Sequence, residues 1–67
     1  MTMTVTVNGD DHTFPDGTSM RAILAALEVG EEGIAVALDG EVHPRGAWDR
    51  PLFDGAEVEV LTAVQGG

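Results

Sequence analysis

The chain predicts an α+β fold in which one main helix packs on one face of a mixed sheet of about four to five strands. Three observations carry this. Period-two alternation of β-favouring residues appears at the start of the chain and again near its end. Between them, from Met20 to Leu27, lies an apolar stripe with helical spacing. Asn8-Gly9, Asp39-Gly40 and Asp54-Gly55 punctuate the chain, and such dipeptides favour the positive-φ backbone of tight turns.

Taken in order, Met1, Met3, Val5 and Val7 alternate with Thr2, Thr4 and Thr6, which reads as a strand with one buried face. Asn8-Gly9 turns it back into a short strand, His12-Thr13-Phe14, which ends at Pro15. Pro15-Asp16-Gly17 is turn chemistry, and Thr18 or Ser19 is the N-cap of a helix. Met20, Ile23, Leu24 and Leu27 fall at i, i+3, i+4 and i+7 of that helix, with Ala22, Ala25 and Ala26 in support and Gly30 as its stop. A helix this short is marginal alone and must lay its stripe on the sheet. Glu31-Glu32-Gly33 is a polar loop. Ile34, Val36 and Leu38 alternate with Ala35 and Ala37, which predicts a strand covered on one face and tightly approached on the other. Asp39-Gly40 turns into a short strand at Glu41-Val42. Pro44 ends its pairing for want of an N–H, and one turn of 3₁₀ helix is expected within Gly46 to Arg50. After Asp54-Gly55, Glu57 and Glu59 alternate with Val58 and Val60, acids outward and valines inward, and the strand runs on through Leu61. The order strand, strand, helix, strand, short strand, strand matches the β-grasp, or ubiquitin-like, arrangement, with first and last strands side by side at the centre. Residues 1–67 are read as a single β-grasp domain, with 63–67 a flexible C-terminal tail.

Composition removes most classes of chemistry. A domain of 67 residues has no spare sequence for an enclosed catalytic cavity, so the chain is not expected to be an enzyme. It has no cysteine, which excludes disulfides, thiolate metal sites and cysteine nucleophiles. No signal sequence and no membrane-spanning apolar run is evident, so a soluble, cytoplasmic protein is expected. Twelve acids against three bases, all arginine, give a net charge of −9. Such a surface repels nucleic acid, favours a free monomer and steers the chain toward partners with basic faces. With no lysine, the chain cannot form lysine-linked polymers of itself.

Few side chains are candidates for function. His12 and His43 lack the spacing of a metal site and are read as solvated, as are the Asp10-Asp11 and Glu31-Glu32 pairs. No glycine-rich phosphate loop is present, and no metal or cofactor is expected on the chain. Trp48 either packs over an edge of the core or serves as an exposed partner anchor. Arg45 and Arg50 either form surface ion pairs or meet a partner. The C-terminal Val64-Gln65-Gly66-Gly67 stands apart. Two glycines stay mobile and slender enough to enter a slot too narrow for a Cβ, and they present a bare α-carboxylate. A carboxylate is a poor electrophile, so its use requires prior activation, commonly as an acyl-adenylate formed from ATP. A frayed or engineered terminus is the alternative.

With these features the chain resembles the thiamine-biosynthesis sulfur carrier proteins, the ThiS family. The residues that carry the likeness are Val5-Thr6-Val7-Asn8-Gly9, Val42-His43-Pro44-Arg45-Gly46-Ala47-Trp48, and Leu61 through Gly67 after the Asp54-Gly55 turn. The resemblance implies that an E1-like adenylyltransferase (ThiF type) activates the Gly67 carboxylate with ATP and magnesium. A sulfur donor such as a cysteine desulfurase relay then leaves a Gly67 thiocarboxylate, and a thiazole synthase (ThiG type) takes the sulfur for the thiazole ring of thiamine. Gly67 would be the covalent carrier, with Gly66, Gln65 and Val64 the threaded tail and Arg45 and Trp48 partner contacts. The small subunit of molybdopterin synthase (MoaD family) shares fold and chemistry but tends to carry a proline before Gly-Gly, which Thr62-Ala63-Val64-Gln65 lacks. A ubiquitin-like protein modifier and a plain β-grasp interaction module are the remaining alternatives.

Overall fold

A computed structural model describes residues 1–62, so the tail 63–67 lies outside the described residues. Strand β1 (Thr2–Val7) buries Met3, Val5 and Val7 and exposes Thr2 and Thr4, as the alternation requires. Asn8 at φ 51° and Gly9 at φ 89° form a two-residue hairpin turn, and both sit in the left-handed region that Asn and Gly tolerate best. So tight a turn makes Asp10 the first partner of Val7. β2 therefore runs over Asp10–Pro15, three residues longer than the His12–Phe14 read from the sequence.

Ser19 caps helix α1 (Met20–Ala26), its hydroxyl accepting the Ala22 N–H at 3.1 Å. Met20, Ile23 and Leu24 are fully buried, which confirms the stripe. The helix stops at Glu28 rather than Gly30. Glu28 takes φ 59°, its N–H donates to the Ala25 carbonyl, and the Val29 N–H reaches back to Leu24. These paired bonds are the Schellman closure in which glycine is the usual occupant, here made by a glutamate.

β3 (Ile34–Leu38) turns through Asp39 (φ 50°) and Gly40 (φ 84°) into the two-residue β4 (Glu41–Val42). Val36 is buried, but Ala35 on the opposite face is exposed, so that face is not tightly approached there. The 3₁₀ turn η1 covers Arg45–Ala47, starting directly after Pro44. β5 (Ala56–Thr62) completes a single five-stranded sheet of order β2-β1-β5-β3-β4. β5 lies parallel to β1 and antiparallel to β3. Asp54-Gly55 is therefore not a hairpin turn like the other two. It swings the chain into the sheet centre, where the Gly55 N–H donates to the Thr4 carbonyl and the Asp54 carboxylate accepts the Thr4 N–H. The helix, the β1 and β5 inner faces, Val36, Leu52 and Trp48 close one core. The fold is the β-grasp.

Candidate functional site: the last strand and its outer face

β5 is the strand that leads to the tail, and it is clamped from both sides by turn residues. On the β3 side, Asp39 gives its N–H to the Glu57 carbonyl and takes the Glu57 N–H on its carboxylate at 2.9 Å. On the β1 side, the Asn8 N–H donates to Val58, and its side-chain oxygen accepts the Val60 N–H at 2.8 Å. Each clamp uses a turn residue as if it were one more residue of the neighbouring strand. The sequence flags these two positions as turns through the following glycine, and nothing in it discloses their second role.

The sheet face away from α1 carries Thr6, Glu57 and Glu59 beside an open hollow of about 580 Å³ between the two hairpin tips. Toward the end of β5 the same face becomes apolar. Leu61 stands opposite Ala35, and Ala37 pairs with Val42, with Leu61 and Val42 well exposed. Beyond Glu59 this face is thus an apolar strip with acids along one flank, suited to a partner with an apolar contact and a basic rim. Gly67, expected from the sequence as the carrier, and Gly66, Gln65 and Val64, expected as its threaded lead, lie outside the described residues.

Of the two readings of Trp48, the structure places it in the core. Its side chain is 2% exposed and its indole N–H donates to the His43 carbonyl at 3.0 Å. An exposed anchor is thereby corrected, because a ring this buried has no face to offer. What does reach the surface is the pair of arginines against it. The Arg45 guanidinium stands 4.6 Å and that of Arg21 5.6 Å from the ring centroid. Glu31 ties the two together, accepting from Arg21 at 2.5 Å and from Arg45 at 3.3 Å, while its carbonyl also accepts from Arg45. Glu31 is therefore a bridging acid and not a freely solvated one. Hydrogen bonds to Asp49, then to Glu31, raise the Arg21 pKa above its ordinary value, so this cation does not titrate at accessible pH. Arg50 is exposed and has no ion pair among the described residues.

His43 also departs from expectation. Its Nε2 is buried without a hydrogen-bond partner among the described residues, and its backbone N–H donates to the Val36 carbonyl where the chain runs on from β4. His12 lies half-exposed, its ring centroid 6.2 Å from that of Phe14. Among the described residues no group of three His, Asp or Glu side chains could hold a metal ion, and no helix is long and apolar enough to cross a membrane.

Comparison with known proteins leads in the same direction. The family model of the ThiS family matches residues 4–67. Among solved structures, the thiamine biosynthesis protein (ThiS) from Geobacter metallireducens is 38% identical, with a TM-score of 0.77 over 97% of this chain and 100% of that one. No curated protein matches the chain. A match to the family model over nearly the whole length, together with this neighbour, assigns the chain: it belongs to the ThiS family.

Proposed function

We propose that this chain is a sulfur carrier of thiamine biosynthesis, a substrate of other enzymes and not itself an enzyme. The observation that carries the reading is the family match, which runs to Gly67 and so includes the Gly66-Gly67 terminus. The described structure is compatible with it: a central strand, held on both sides, leads the chain toward its end beside an apolar, acid-flanked face.

The chemistry runs through three proteins. In an adenylyltransferase of the ThiF type, the Gly67 carboxylate attacks the α-phosphorus of ATP, and pyrophosphate leaves. A sulfur nucleophile from a donor such as a cysteine desulfurase relay attacks the acyl carbon, and AMP leaves. With a persulfide donor the product is an acyl disulfide. A second thiol, which this cysteine-free chain does not supply, attacks the donor cysteine's sulfur, and a disulfide forms between those two thiols. The terminus leaves as a thiocarboxylate, its sulfur reduced by that exchange and held as a soft nucleophile without free sulfide. A thiazole synthase of the ThiG type then receives the sulfur. ATP and magnesium belong to the partner; this chain supplies the carboxylate and the docking face. Arg45, half-exposed on its Trp48 support, is a cation this chain can offer a partner, beside the exposed Arg50.

The test is to incubate the chain with its cognate adenylyltransferase, ATP and a sulfur donor, then weigh it intact. A gain equal to one oxygen exchanged for one sulfur is expected, and an unchanged mass would defeat the reading. In cells, deletion is expected to create a thiamine requirement while molybdenum enzymes stay active; the opposite pattern would reassign the branch. Gly66→Val is expected to fold normally and to fail in adenylation, because a Cβ and its branch do not pass a slot shaped for glycine. Normal adenylation of that variant would remove the slot argument.

A further inference from the structure

β5 outlasts β1 beside it, and among the described residues the mismatch leaves the end of β5 without a strand neighbour on that one side. Peptide groups along a strand alternate sides. Glu57 bonds on the β3 side, whereas Val58 and Val60 bond to Asn8 on the β1 side. The period therefore turns the N–H and C=O of Thr62 toward the β1 side. There β1 ends its pairing at Val7 opposite Val58, and the chain leaves through Asn8-Gly9. Among the described residues nothing stands beside Thr62 on that side, and Thr62 is exposed. On the other side it faces Ile34 across the β3–β5 pair, so its extended shape is already fixed.

We propose that this open edge is a strand-addition site, taken by an extended backbone segment of the adenylating enzyme that lies in the lane β1 vacates. The inference rests on the sulfur-carrier reading and adds how the partner grips the strand. The occupant follows from chain length. Five residues follow Thr62, and five extended residues reach at most about 18 Å. An enzyme that closes over the Gly67 carboxylate must bring its own backbone within that distance of Thr62. Strand addition supplies main-chain affinity, and neighbouring side chains supply selectivity. Here Leu61 offers the added strand an apolar neighbour, and Glu59, one step back on the same face, calls for a cation. The opposite edge of the sheet, β2, begins with Asp10 and Asp11, whose charges oppose pairing there.

Thr62→Pro removes the outward N–H while keeping a φ that an extended residue accepts, and Thr62→Ala removes the side chain but keeps the N–H. Affinity of each for the cognate adenylyltransferase is measured by calorimetry, with thermal midpoints of the free variants. Amide exchange at Thr62 of the unsubstituted chain is measured free and in complex. Expected are a loss of about tenfold or more for Thr62→Pro, a change within about twofold for Thr62→Ala, and slowing of Thr62 exchange by at least about tenfold in the complex. Equal binding of the two variants with unchanged thermal midpoints, or unprotected Thr62 in the complex, overturns the edge proposal alone. If Thr62→Pro lowers the thermal midpoint, the exchange measurement decides. A wild-type chain that is neither bound nor adenylated overturns the sulfur-carrier reading, and this proposal with it.

Discussion

At the scale of single residues, two side chains stand where their type is costly or costly to lose. Glu28 closes the helix at φ 59°, a conformation that disfavours any Cβ. Glu28→Gly is expected to stabilise the fold by about 0.5–1 kcal/mol, seen as a rise of several degrees in the thermal midpoint. A fall would mean that the glutamate side chain makes a compensating contact. Trp48 is the reverse case, buried and hydrogen-bonded to the His43 carbonyl. Trp48→Ala is expected to cost about 3–5 kcal/mol in chemical denaturation, a large share of the stability of a 67-residue domain. The Glu31 bridge above it is a partly exposed ion pair, so Glu31→Gln is expected to cost less than about 1 kcal/mol.

At the scale of elements, β5 holds the sheet together at its centre. β1 pairs with it over Ala56–Val58 and β3 over Val58–Thr62, so among the described residues the two neighbouring strands overlap at Val58. The Asn8 side chain extends the β1 side by two residues, and it does so only because a turn residue in the left-handed region can fold its amide back on the strand. Asn8→Ala is expected to cost about 1–2 kcal/mol and to speed amide exchange at Val60 more than at Val58. Exchange that rises equally at both would mean a global effect and no local clamp.

For the molecule as a whole, a net charge of −9 on 67 residues is a self-repulsion that folding concentrates. Added salt shortens the Debye length from about 30 Å at 0.01 M to about 8 Å at 0.15 M. The thermal midpoint is therefore expected to rise over that range, and a flat response would mean the acids are too far apart to interact. The same screening is expected to slow association with a basic partner, so stability and on-rate should move in opposite directions with salt.

Much of this protein is legible in its amino-acid sequence. Alternation at Met3, Val5 and Val7 and at Val58 and Val60, the stripe through Met20, Ile23 and Leu24, and the Asn-Gly and Asp-Gly turns are local signals with fixed periods, and they suffice for element order and fold class. The motif from Val42 to Trp48 and the terminal glycines carry the family. What only the tertiary structure decides depends on contacts far apart in the chain. Asn8 reaches Val60 across 52 positions and Asp54 reaches Thr4 across 50, and no period announces such bonds. Trp48 has two readings until the arginines from α1 and η1 are found flanking a ring already buried. Glu31 passes for a loop charge because its partners, Arg21 and Arg45, come together only when helix and 3₁₀ turn pack. The early stop of the helix is hidden for a related reason: the Leu24–Val29 closure places the chain for its return to the sheet, and that packing outweighs the modest local preference for glycine at the turn.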